Sequence, residues 1–145
     1  MQDTRNRVPA NTDAEINKKI RDETDARVRY YQQHKNDIRS RLRQLDEEWD
    51  IERAIECNAS ALAFTGVVLG ATGDKRWLLL PAMVTAFLFQ HAIQGWCPPV
   101  PILRRMGFRT ASEIEQERQA LKALRGDFAG ISNDNADAIL SAVRA

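Results

Sequence analysis

Two stretches decide the fold: residues 57–73, CNASALAFTGVVLGATG, and residues 77–103, WLLLPAMVTAFLFQHAIQGWCPPVPIL, neither of which contains a charged side chain. Only Asp74, Lys75 and Arg76 separate them. A helix that crosses a hydrocarbon core of about 30 Å needs roughly 17–25 predominantly apolar residues, so the second stretch qualifies easily and the first meets the lower limit. The expected fold is all-α: an integral membrane helical hairpin of two transmembrane helices, with amphipathic cytoplasmic helices on both sides.

Tryptophan placement fits that reading, because indole favours the headgroup zone where one edge is apolar and the other wet. Trp49 precedes the first stretch, while Trp77 and Trp96 bracket the second. At 1.5 Å per residue their separation is about 28 Å, close to the thickness of a hydrocarbon core. Pro81 lies where a missing N–H is tolerated, and Pro98, Pro99 and Pro101 are expected to stop the span. Arg39, Arg41, Arg43 and Arg53 precede the pair and Arg104, Arg105, Arg109, Arg118 and Lys122 follow it, whereas the connecting loop holds only Lys75 and Arg76. This asymmetry places both termini in the cytoplasm. The alternative, a buried hairpin in a soluble helical bundle, needs more surrounding apolar surface than the flanks supply.

Outside the apolar pair the chain is highly charged. Residues 1–56 hold 25 of its charged side chains, yet the 145-residue total of 21 Lys+Arg against 20 Asp+Glu leaves a net charge of +1. That balance argues against a nucleic-acid binder driven by bulk charge. No apolar stretch occurs within the first fifty residues, so no cleavable signal peptide is expected. Residues 1–11 read as a mobile N-terminal arm. Residues 12–56 read as a charged amphipathic helical region, opened by a capping box of Thr12 and Glu15 and closed in its first helix by the cluster at 32–36. In its second helix Ile38, Leu42, Leu45 and Trp49 step by 4, 3 and 4 residues, a stripe that continues through Ile55 and suits a membrane surface or a partner. After the hairpin at 57–103, residues 104–145 form a helical tail. It is expected to hold one helix from Thr110 or Ser112 to Gly126 and a short one around 136–143.

Ala59, Ala63, Gly66 and Gly70 fall on one narrow face of the first span, where small side chains let helices approach closely. Either a second copy or the second span of the same chain suits that face, while Leu62, Phe64, Val68 and Leu69 point to lipid. On the second span Gln90 and Gln94 share a face with Met83, Ala86 and Cys97, and His91 lies a quarter turn away. Polar groups in hydrocarbon seek partners, so this face is expected to meet a helix or line an oligomeric small-anion path. Cys57 opens the first span and Cys97 closes the second, which brings both thiols to the cytoplasmic side of a hairpin. Arg53, Arg104 and Arg105 nearby are placed to activate a thiol. With two cysteines and two histidines the chain excludes a zinc ribbon or a multi-disulfide scaffold. No phosphate-cradling loop, H-E-x-x-H, G-x-S-x-G or C-x-x-C motif occurs, so neither an enzyme nor any metal or cofactor is expected.

The segment from Asn58 to Gly107, above all Gln94, Gly95, Trp96, Cys97, Pro98 and Pro99 with Leu103, Met106, Gly107 and Phe108 after them, resembles the YgaP-like inner-membrane domain family. The resemblance covers about a third of the chain and rests mainly on Cys97, Pro98 and Gly107, with Asn58 and Gly66 less specific. It implies a bacterial inner-membrane two-helix domain that self-associates and is often associated with rhodanese sulfurtransferases. No sulfurtransferase domain accompanies it here. The combined expectation is a binding or accessory subunit that packs through helices, as a homo-oligomer or in a larger membrane complex. The alternatives are a sulfur-transfer or redox accessory using Cys97 and an oligomeric anion path.

Overall fold

The computed structural model describes residues 5–129 and 139–141. The described elements are all helical, with no strand among them: α1 Arg7–Ala10, α2 Ala14–Gln33, α3 Ile38–Glu47, α4 Ile51–Thr72, α5 Leu79–Gln94, α6 Val100–Arg105 and α7 Ala111–Arg125. They fall into two compact units, one drawn from Met1–Ile20 and Trp49–Ser112, the other from Arg21–Glu48 and Glu113–Ala145. These units cut across the linear divisions at 12–56 and 104–145, because the apolar partners of each helix come from distant parts of the chain.

The first unit is built on α4 and α5. Asp50 caps α4, its Oδ1 accepting from the Arg53 N–H at 2.7 Å, and the Ile51 N–H donates to the Arg109 carbonyl at 2.8 Å. The carboxylate satisfies a backbone donor that the first helical turn leaves unpaired. Asp74 does the same for the 3-10 turn Lys75–Leu78, accepting from the Arg76 N–H at 2.9 Å. Gly66 and Gly70 face this turn and the start of α5: a Cβ on Gly66 would fall 2.5 Å from Pro81 Cδ, and one on Gly70 2.6 Å from Leu78 Cδ2. The small-residue face therefore serves packing within the chain at both glycines. Leu62, Phe64, Val68 and Leu69 are exposed, as are Leu79, Met83 and Ile93, and Phe64 and Phe89 reach 72% and 69% exposure. Two helical stretches, ending at Thr72 and Gln94, are long and apolar enough to cross a membrane, and only 22% and 6% of their apolar windows are buried. A core helix of a soluble protein would show the opposite.

The second apolar stretch is not one helix to residue 103. Gly95 takes a left-handed conformation at φ 72°, its N–H bonded to the His91 carbonyl, which ends α5 at Gln94. Pro98 and Pro99 lack the N–H needed to continue, and Pro99 caps the separate helix α6. Residues 5–11, expected in a free arm, are packed instead: Val8 is buried in a core with Ile51, Ile55, Cys97 and Val100. Helix α2 is capped by Asp13, whose Oδ1 accepts from the Glu15 N–H at 2.8 Å, rather than by Thr12, whose hydroxyl donates to the Val8 carbonyl.

In the second unit Ile38, Leu42 and Leu45 pack against Ile114 and Leu121, with Tyr31 and Leu124 at the margin. That apolar face is filled by the chain's own α7, so it is not available to a membrane or partner. Nor does the stripe run on to Ile55. The chain leaves the helix at Glu48, with ψ 126°, and α4 starts afresh at Ile51. Trp49 lies in this break, exposed, with the Arg53 guanidinium 4.4 Å from its ring centroid. Glu117 is fully buried between Arg27 and Arg41, whose Nε atoms approach at 3.1 and 2.8 Å. Gly126, at φ 92°, follows the end of α7. The expected last helix around 136–143 lies largely outside the described residues, of which 139–141 are helical.

Candidate functional site

One line of polar groups penetrates the apolar core of the first unit. Arg7 lies on α1, Glu52 on the first turn of α4, His91 on the last turn of α5 and Cys97 between α5 and α6. The Arg7 guanidinium donates to Glu52 Oε1 at 3.1 Å and, through its other terminal nitrogen, to the Ala92 carbonyl at 2.7 Å. Glu52 Oε2 meets His91 Nε2 at 2.6 Å. The Cys97 thiol lies beside the same imidazole. Cys97 and His91 are 2% and 3% exposed, and His91 Nδ1 is buried without a partner in hydrogen-bond geometry.

Local sequence explains why these groups converge. The left-handed Gly95 reverses the chain just after His91 and lets Cys97 return beside it, and a Cβ on Gly95 would lie 2.6 Å from the Arg7 backbone carbon. The close approach of Arg7 thus depends on glycine at that position. Asn11 tightens the same junction, its Nδ2 donating to the carbonyls of Arg7 and Gln94, both at 2.8 Å. Glu52 precedes the charge-free part of α4, and its carboxyl is held below the usual range, chiefly by the hydrogen bond to His91 and further by Arg7, against the opposing effect of burial.

Chemically, a carboxylate bonded to one ring nitrogen fixes the orientation of a buried imidazole. Beside this line an apolar groove of about 470 Å³ opens between α4, α5 and α6, with Cys97 on its wall and Leu62, Phe87, Pro98 and Ile102 among its lining. Asn58, the one amide there, donates its Nδ2 to the Ala54 carbonyl at 2.8 Å.

The residues singled out from sequence are distributed differently. Cys57 is exposed and Cys97 buried, and both are free thiols. Arg53 is committed to the Trp49 ring. Arg104 is buried, donating to Asn17 Oδ1 at 2.8 Å and to the Phe108 carbonyl at 3.1 Å, so its guanidinium serves packing. His91 turns toward Glu52, while Gln90 and Gln94 pair with each other at 3.5 Å. An anion path that needs all three on one lining is not assembled within this chain. Ala59 borders the groove, Ala63 is half-buried, and Trp77 is exposed while Trp96 is half-buried. Among the described residues no group of three or more His, Cys, Asp or Glu side chains is placed to hold a metal ion.

Glu52 and Arg7 are the members that sequence reasoning missed. The available signal was helical spacing, since Glu52 sits one turn before Ile55 and two before Ala59 on a single face. Compared with known proteins, the chain matches no family model, no curated protein and no solved structure.

Proposed function

We propose that residues 57–73 and the continuous helical stretch Lys75–Gln94 cross a bacterial inner membrane as a hairpin, with both termini cytoplasmic. The protein then acts as a binding or accessory subunit of a membrane assembly. The observation that carries this reading is the outward-facing apolar surface of the two helices, which bury so little of themselves in the chain. Such a surface is stable against lipid tails or other membrane helices and costly against water. The distribution of Lys and Arg, sparse in the turn between the helices and dense outside the pair, supports the orientation. The resemblance of residues around Cys97, Pro98 and Gly107 to YgaP-like domains supports the location. Gly66 and Gly70 are occupied within the chain, so contacts between subunits fall to the exposed faces that hold Phe64, Phe89 and Gln94.

Topology labelling tests the membrane reading. A cysteine introduced at Asp74 in a Cys57→Ser, Cys97→Ser background should react with an impermeant maleimide in intact cells. One introduced at Arg125 should react only after the membrane is opened. Extraction of the protein by alkaline carbonate would overturn the reading. For the assembly role, mild detergent should release the chain in a stoichiometric complex, and a monomer in native nanodiscs counts against it.

A second reading, thiol chemistry at Cys97 for sulfur transfer or redox work, is favoured by the nearness of that buried thiol to His91. Loss of function on Cys97→Ala, with the membrane complex intact, would support it over pure assembly.

A further inference from the structure

We infer that the outward face of α6 is a phospholipid contact: Ile102 and Met106 enter the acyl region of the cytoplasmic leaflet, and Arg105 beside them takes a lipid phosphate. The inference rests on the reading that α4 and α5 cross a membrane, and it extends the lipid-facing surface past the end of the second span.

The first observation is the division of α6 into two faces. Val100 and Arg104 are buried and Leu103 packs against the core that holds Val100, whereas Ile102 and Met106, one turn apart, are 60% and 69% exposed. Ile102 lines the same groove as Leu62 of α4 and Phe87 of α5, which are themselves exposed. Phe87 lies two turns before the end of α5, about 10 Å along the axis at 1.5 Å per residue. Helix α6 therefore returns beside the spans, and its apolar face is continuous with the surface that meets lipid.

The second observation is independent and concerns the backbone. Hydrocarbon admits a segment only where its N–H groups find partners inside the protein, and the start of a helix ordinarily leaves several of them unpaired. Here Pro98, Pro99 and Pro101 carry no N–H, and the N–H groups of Val100 and Leu103 donate to the Cys97 and Pro99 carbonyls at 3.0 and 2.9 Å. At the other end the Met106 N–H donates to the Ile102 carbonyl at 3.0 Å and the Gly107 N–H to the Arg104 carbonyl at 3.1 Å. Gly95 already ends α5, so stopping that helix does not account for three prolines. They strip the turn into α6 of donors that lipid could not satisfy.

Charge complementarity identifies the lipid as a phospholipid. Arg104 is turned inward to Asn17 and the Phe108 carbonyl. Arg105 is exposed and has no carboxylate partner among the described residues. A guanidinium on a long apolar stem reaches the headgroup zone while its neighbours stay among acyl chains, and a phosphate suits its paired donors.

The test uses the purified full-length chain in nanodiscs of phosphatidylethanolamine and phosphatidylglycerol. A nitrobenzoxadiazole label is placed in turn at Met106→Cys, Phe89→Cys and Arg125→Cys in a Cys57→Ser background, with that background alone as the blank because Cys97 is buried. Phospholipids carrying a nitroxide high on the acyl chain should quench the Met106 label to the same fraction as the Phe89 label. Aqueous iodide should quench it far less than the Arg125 label. Adding Arg105→Glu should lower lipid quenching at Met106 and raise iodide quenching. A Met106 label that follows the Arg125 label, or that is shielded from both quenchers as a second copy would shield it, overturns this inference alone when Phe89 remains lipid-quenched. A Phe89 label open to iodide overturns the membrane reading, and this inference with it. Unchanged quenching in Arg105→Glu overturns the phosphate contact.

Discussion

The Oε2 atom of Glu52 and the Nε2 atom of His91 meet at 2.6 Å across 39 positions of sequence, joining the first turn of α4 to the last turn of α5. The two helices are thereby tied at the end remote from their connecting turn, where glycine packing against Pro81 and Leu78 ties the other. Because His91 is almost fully buried while Glu52 keeps a path to solvent and to Arg7, the carboxylate is what makes a buried imidazole tolerable.

Acidification should therefore loosen this junction. The Glu52 carboxyl is held below the usual value of 4.5 in the folded chain. Its contribution to stability is fully present above that value and is lost as pH falls through the depressed folded value. Thermal melts of the wild type should show this loss on the acid side of about pH 4.5, and Glu52→Gln should melt lower at neutral pH, by about 1–3 kcal/mol, with a weaker acid dependence. Equal pH profiles for the two proteins would show that the pair contributes nothing.

Much of the fold is legible in the sequence, and the misses share a cause. The charge-free stretches mark α4 and α5, and Ile38, Leu42 and Leu45 mark a true buried face. What covers that face is not legible, because Ile114 and Leu121 are distant in sequence and periodicity specifies a face without naming its partner. The break at 48–50 is hidden for a related reason: Ile51 and Ile55 continue the same spacing, although they pack in the other unit. Arg7 lies on a helix of 4 residues, too short to show any period. Cys97 and His91 were both visible as residue types, but their meeting with Glu52 depends on the depth at which α4 and α5 pack and on the reversal at Gly95.

Gly66 and Gly70 should differ in their tolerance of alanine. The added Cβ at Gly66 meets the Pro81 ring at 2.5 Å, the Leu80 Cβ at 3.1 Å and the Trp77 carbonyl oxygen at 3.2 Å, a largely rigid wall. At Gly70 the nearest atoms belong to the Leu78 side chain, which can rotate. Gly66→Ala is expected to cost about 1–3 kcal/mol by overpacking, and Gly70→Ala less. Unfolding in mixed detergent micelles, followed by circular dichroism, gives the ranking. A reversed order would mean that the Leu78 contact is the stiffer one.

Gly95 and Gly107 both occupy the left-handed region, at φ 72° and 92°, which separates strain from collision. Alanine at Gly107 meets nothing within 4 Å, so its cost is the backbone term alone, about 1–2 kcal/mol. Alanine at Gly95 adds contacts of 2.6–2.7 Å with Arg7 and should push α1 off the unit. Limited proteolysis near Arg7 should accelerate in Gly95→Ala and stay unchanged in Gly107→Ala. Equal protection in both would remove the role assigned to Gly95 in seating Arg7.

Glu117 offers the sharpest test of the second unit. Its carboxylate has 0% exposure and accepts from Arg27 and Arg41, whose side chains are 32% and 15% exposed. Replacing the acid by leucine leaves two guanidinium groups without their central anion, a change that for buried pairs costs about 3–5 kcal/mol. The lower end is expected, since Arg27 can turn toward water. Of the two bases, Arg41 makes the shorter bond at 2.8 Å against 3.1 Å and is the less exposed, so Arg41→Met should destabilise more than Arg27→Met. Chemical denaturation of the full chain with each variant decides the order. If the two methionine variants unfold together, the burial of each arginine does not set its contribution, and Glu117 is held by the shared pair rather than by Arg41.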